Sequence, residues 1–184
     1  MPHGRDAAEP GYGGVAMALH WLIVGLLVTQ FAIAWTMPAI RRGVEPEGLI
    51  GLHLSFGIAI MLLAALRLLW RQTHPVPLIA DNVPRWQNEA ARSTHAALYL
   101  LLFLVPILGW ANASARGWKI TVFGLFRMPH IWPAGSAFGR GELGDIHVWG
   151  TYALLGLVGL HVLAALYHHL WLRDRVLSRM LPYG

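Results

Sequence analysis

The chain has 184 residues, of which 56% are hydrophobic and 12% charged, and it carries a formal net charge of +5. That charge content is about half the usual globular value. With four long apolar runs it excludes a soluble core and implies an all-α membrane protein of one domain. No cysteine is present, which excludes disulfides and cysteine-held iron–sulfur clusters. The basic residues sit mainly in loops beside the apolar runs, so lipid headgroups and small anions suit them better than nucleic acid.

Residues 1–14 form a polar, glycine-rich tail. The first span is expected at 15–35, with His20 near its start. It is longer than a signal-peptide core and lacks a small-residue cleavage site after it, so no leader is expected to be removed. A short loop follows with Pro38, Arg41 and Arg42. The second span, at 49–70, holds His53 near its start and Arg67 near its end. The connector to residue 92 contains Pro75, Pro77 and Pro84 and should begin extended. From Pro84 to Arg92 it could open a helix, with Asn82 as a cap.

The third span, at 93–113, starts near His95 and should kink at Pro106. The loop at 114–145 is rich in glycine and aromatic residues and carries Arg116, Lys119, Arg127 and Arg140. The fourth span, at 146–172, has no Asp, Glu, Lys or Arg, yet it contains His147, His161, His168 and His169. Residues 173–184 form a second tail with Arg173, Asp174, Arg175 and Arg179.

Four spans put both tails on one side. That side has eight basic residues, Arg5, Arg67, Arg71, Arg85, Arg92, Arg173, Arg175 and Arg179, against six on the other. The positive-inside rule then places both termini in the cytoplasm.

Ionisable groups inside a span point to function. His147 and His161 are 14 residues apart, which on a helix is about 21 Å along the axis and about 40° around it. One face of the fourth span therefore offers an imidazole near each side of the membrane. His20 lies at the depth of His161, and His53 at the depth of His147. Two histidines on opposite faces of a haem close both axial positions, which suits electron transfer rather than oxygen activation. With no cysteine to tether it, the haem would be the non-covalent b type. The arithmetic thus expects two b-type haems between the helices, held by His20 with His161 and by His53 with His147.

Arg67 follows His53 by 14 residues. It falls in the inner layer, where it could pair with a haem propionate or snorkel to the headgroups. Gly51, Gly57, Gly150, Gly156 and Gly159 lie beside the histidines and could make room for a macrocycle, or simply let helices pack. His95, His168 and Arg71 near the inner boundary are candidates for binding a quinone carbonyl. His169 points about 100° away from His168; His3, His74 and His130 lie in tail or loops.

These features resemble the prokaryotic cytochrome b561 family. The resemblance spans residues 12–182 and rests on ALHW at 18–21, GLHLSFGI at 51–58, RLLWR at 67–71, THAALYLLLFLVPILGW at 94–110, FGLFRMP at 123–129 and the histidine pattern of 146–174. It implies a four-helix di-haem cytochrome with His20, His53, His147 and His161 as ligands. It also implies superoxide:ubiquinone oxidoreductase activity, with superoxide oxidised at the periplasmic face and membrane quinone reduced. The loop with Arg116, Lys119, Arg127 and Arg140 would attract such an anion. The alternative is a cytochrome b subunit passing electrons between quinone and a docked dehydrogenase or hydrogenase-type partner. A di-iron or zinc enzyme would show closely spaced histidines with carboxylates, and no acidic residue stands inside a span. A transporter would need a continuous polar path, which the spans lack.

Overall fold

The computed structural model describes residues 12–41, 43–74, 84–136, 139, 141–174 and 176–181. His3, Arg5, Arg42, Pro75, Pro77, Asn82, Arg140 and Arg175 lie outside the described residues.

Four apolar runs form the four helices α1 (Gly14–Thr36), α2 (Gly48–Thr73), α3 (Arg85–Ala115) and α4 (Glu142–Tyr167), each long and apolar enough to cross a membrane. The shortest, α1, has 23 residues. At 1.5 Å per residue it is about 35 Å long, more than the hydrocarbon thickness of about 30 Å. Only a helix satisfies every backbone group within such a segment. Pro38, two residues beyond Thr36, cannot continue α1.

Two helices begin earlier than hydropathy alone suggests. The third starts at Arg85 rather than near residue 93. The polar stretch 85–92 is helical and runs unbroken into the apolar one, through Pro106, as far as Ala115. The fourth starts at Glu142 rather than 146, with Glu142 and Asp145 in its first turn, where carboxylates complement the helix dipole. Hydropathy finds the part of a helix that lies in lipid, whereas the helix itself continues into the headgroups.

The far end of α4 also departs from a straight helix. His168–Leu172 form a π-helical turn. Arg173 then takes a left-handed backbone conformation, φ 52°, and turns the chain back. His168 Nδ1 meets Asp174 Oδ2 at 2.5 Å, and Asp174 Oδ1 accepts the Val176 N–H. After a 3₁₀ turn at Ser178–Met180, the Met180 carbonyl accepts the indole N–H of Trp21 at 2.8 Å. The last described residues are thus tied to the first helix.

In the bundle α1 packs on α2, α2 on α3, and α3 on α4. The central core takes side chains from every helix: Ile23, Ile60, Ala64, Leu102 and Leu154. Leu154 is seven residues from both His147 and His161, so this apolar layer separates the two histidine depths. Large apolar side chains elsewhere, including Val28, Trp35, Leu62 and Leu163, face outward, as lipid-facing residues do.

The 114–145 connection is more ordered than a loop. It folds into a hairpin, β1 (Thr121–Val122) paired antiparallel with β2 (Phe126–Arg127). The hairpin docks on α2 through the buried Ser55, whose hydroxyl accepts the Phe123 N–H at 3.0 Å and donates to the Gly51 carbonyl at 2.8 Å. Below it, Ile50, Ala113, Trp118 and Ile120 form a second core cluster. The hairpin marks the far end of the bundle, opposite the termini end.

Candidate functional site

Helix geometry brings the histidines together two by two. At the far end the rings of His53 on α2 and His147 on α4 stand 6.1 Å apart between centroids, with planes at 85°. At the termini end His20 on α1 and His161 on α4 stand 6.5 Å apart, at 77°. All four rings are partly buried.

The far-end pair opens into a cavity of about 230 Å³. Its walls come from all four helices and are mostly apolar, with Leu27, Phe31, Ile58, Val105 and Leu155 among them. His147 Nδ1 lies 2.9 Å from the Val105 carbonyl. A carbonyl can only accept, so Nδ1 carries the hydrogen, and Nε2 is left with its lone pair free. On the other side, Gln30 of α1 donates its amide N–H to the His53 carbonyl at 2.9 Å. Two polar atoms here are buried with no partner among the described residues, Gln30 Oε1 and His53 Nδ1.

The termini-end pair has polar company. His95 sits ten residues inside α3, not at its start, and its ring lies 5.4 Å from that of His161. Tyr99, one turn further along α3, accepts a hydrogen bond from Arg67 Nη1 at 2.6 Å. Arg67 therefore turns into the bundle rather than out to the headgroups, and its Nε is buried without a partner among the described residues. His168, at the end of α4, is held by Asp174. Arg71 is exposed near the end of α2, and His169 is exposed as well.

The glycines divide. Gly57 lines the far-end cavity, and Gly156 and Gly159 face open space. Gly51 and Gly150 do not make room for a ligand. A Cβ on Gly51 would come within 2.8 Å of the Pro46 carbonyl, and one on Gly150 within 3.0 Å of Val105 Cγ2. Both are close packing of the chain on itself. In the hairpin region the Arg116 guanidinium lies over the Trp118 ring, 5.6 Å from its centre, while Lys119 and Arg127 are exposed.

Sequence reasoning passed over Gln30, Tyr99, Gly109 and Ser55. Gln30 and Tyr99 did leave a signal, a polar side chain within an apolar run, with Tyr99 one turn from a histidine. Nothing local marks Gly109, whose role depends on a different helix.

The family model described as prokaryotic cytochrome b561 matches residues 11–183. The chain belongs to the prokaryotic cytochrome b561 family. Among similar proteins, cytochrome b561 homolog 2 of Escherichia coli (strain K12) is 34% identical over 175 residues, covering 92% of this chain and 90% of that protein. The probable superoxide oxidase CybB of Yersinia pestis is 33% identical over 175 residues, covering 93% and 96%. Cytochrome b562 of Cereibacter sphaeroides is 31% identical over 179 residues, covering 94% and 96%.

Cytochrome b561 membership implies haem b and electron transfer by a multi-pass bacterial membrane protein. The residues fit that group. Two imidazoles binding one metal from opposite sides, with bonds of about 2.0–2.1 Å, have ring centres roughly 6.3 Å apart. The two histidine pairs described above stand close to that separation, at 6.1 and 6.5 Å. The unpartnered Nε of Arg67 suits a carboxylate such as a propionate.

Proposed function

We propose that the protein is a di-haem cytochrome b that moves electrons across the bilayer to quinone, with superoxide oxidised at the far, periplasmic face. The supporting observation is the presence of two facing histidine pairs, at 6.1 and 6.5 Å, on either side of one apolar layer. In this reading His53 and His147 hold the outer haem, and His20 and His161 hold the inner one. Bound there, haem b stores and passes single electrons. Imidazoles on both faces would leave no position for a small ligand, so the donor would react without coordinating.

Overall, two superoxide ions become two dioxygen molecules, while one ubiquinone takes up two electrons and two protons to become ubiquinol. Lys119 and Arg127 are exposed on the far-end connection and would draw a small anion toward the outer pair, with Arg116 beside them and Arg140 outside the described residues. Arg67, reaching Tyr99 beside the inner pair, would hold a propionate. On the termini side, taken as cytoplasmic from the balance of basic residues, Arg71, His95 and His168 are the groups able to donate to a quinone carbonyl. His168, backed by Asp174, can also carry a proton. A relative named probable superoxide oxidase supports the choice of substrate.

A second reading has its own observation. The hairpin exposes Phe123, Leu125 and Phe126, an apolar tip able to bind a redox protein, as a cytochrome b subunit of a larger complex would. The optical spectrum of the purified chain is the first test, with about two acid-extractable haem b expected per chain; a colourless protein sinks both readings. Ubiquinone reduction by a superoxide flux separates them. Turnover near the diffusional ceiling supports the oxidase. Haems that stay oxidised under superoxide, in a chain that co-purifies with a soluble redox protein, support the subunit.

A further inference from the structure

Of the four paired histidines, His147 alone among the described residues has a ring nitrogen hydrogen-bonded to a backbone carbonyl, that of Val105. At this contact glycines on both helices let α3 and α4 pack closely. Gly109 lies one turn beyond Val105 on α3. A Cβ at Gly109 would stand 3.1 Å from His147 Cε1 and 3.2 Å from His147 Nδ1. Neither neighbour is the loose end of a flexible chain, because the imidazole is held on both sides by its helix and by the carbonyl. A methyl group at 109 would therefore push the ring off Val105.

We propose that Gly109 is a positioning residue for the outer site, keeping His147 on the Val105 carbonyl and thereby lowering the reduction potential of the outer haem. The inference rests on the haem reading above. An imidazole that donates through Nδ1 becomes the stronger base at Nε2. A more electron-rich ligand favours the oxidised metal, and such outer hydrogen bonds are a recognised lever on haem potential. The inner pair lacks this bond among the described residues and has the Arg67 cation nearby, which favours the reduced centre. Both differences make transfer from the outer to the inner site run downhill.

The test is a redox titration of the haem-loaded, detergent-purified protein, following each haem by its optical band. Gly109→Ala is compared with Gly150→Ala. The second variant crowds the same helix contact, at Val105 Cγ2, without touching His147. Gly109→Ala is expected to raise the reduced-to-oxidised ratio of the outer haem about tenfold at a fixed potential, a shift of about 59 mV for one electron. The inner haem should not move, and Gly150→Ala should leave both unchanged. Loss of the outer haem in Gly109→Ala alone overturns the inference, because Gly109 also lines the cavity and its methyl group would then be excluding the haem rather than moving the ring. An unmoved outer potential in Gly109→Ala overturns it, and so does an equal shift or an equal loss in the two variants. A wild-type protein without haem would sink the haem reading itself, before any variant is compared.

Discussion

The two ends of the bundle present the same pair of imidazoles in opposite surroundings. At the far end the rings of His53 and His147 sit in an apolar cavity roofed by a hairpin, and the polar contacts are amide and carbonyl groups. At the termini end the rings of His20 and His161 have His95 beside them, with Tyr99 one turn further along α3 and Arg67 of α2 donating to it. Identical pairs of side chains can therefore suit different tasks. A dry, uncharged pocket suits rapid one-electron exchange with little rearrangement. A pocket with a cation, a phenol and a third imidazole suits a product that must gain protons as well as electrons.

The largest expected effect comes from removing one of the four proposed haem ligands. His147→Ala or His53→Ala should lose the outer haem, about half the haem absorbance, and leave the inner haem intact. His161→Ala or His20→Ala should do the reverse. Pyridine haemochrome content with low-temperature spectra would show this, and if His53→Ala and His20→Ala damaged the same haem, the division into two sites would fail.

Next in size is Arg67→Leu. Without the cation the inner haem should become harder to reduce by about a factor of ten, or about 59 mV, with the outer haem unmoved. Arg67→Lys should recover most of the shift. Equal shifts at both haems would remove the contrast between the two ends.

How far the sequence carries this comparison depends on which residues are asked about. The 14-residue intervals from His147 to His161 and from His53 to Arg67 need only helix geometry, so the two depths can be read from the chain alone. Four long apolar runs are equally plain. The hairpin is not, because strands of two residues are too short to show an alternating pattern. Its hold on the bundle is the Ser55 hydroxyl, an ordinary small polar residue in a helix until Phe123 is brought to it. Gly109 looks like any membrane-helix glycine until His147 arrives from another helix. In the C-terminal part, the pairing of His168 with Asp174 depends on the turn at Arg173, which no spacing within the fourth span announces.

Ser55→Ala tests the hairpin as the roof of the far end. It leaves the Phe123 N–H without its acceptor, a loss of about 1–3 kcal/mol. Faster hydrogen exchange across β1 and β2 should report it, with the histidine pair at the termini end unaffected. No change in exchange would mean that the hairpin is held by its apolar underside alone.

The smallest effect is expected from surface charge. Lys119→Gln with Arg127→Gln should slow reduction by superoxide severalfold at low ionic strength. The difference should fade near 0.15 M salt, where screening acts over about 8 Å. Quinone binding at the other end should not respond. A rate loss that salt leaves untouched would point to a structural role for these residues instead.

The apolar layer between the two pairs has a consequence measured in volts. Ile23, Ile60, Ala64, Leu102 and Leu154 offer no group that could pass a proton, so a negative charge crossing this layer travels uncompensated. In the proposed direction it moves toward the side that is negative at rest. A membrane voltage of 100 mV opposes one charge across the full thickness with about 2.3 kcal/mol. The pairs are separated by about 21 Å of a core about 30 Å thick, so the opposing work is about 1.6 kcal/mol per 100 mV. On the proposed reading, an energised membrane would favour electrons at the outer site, and a collapsed one would ease their passage.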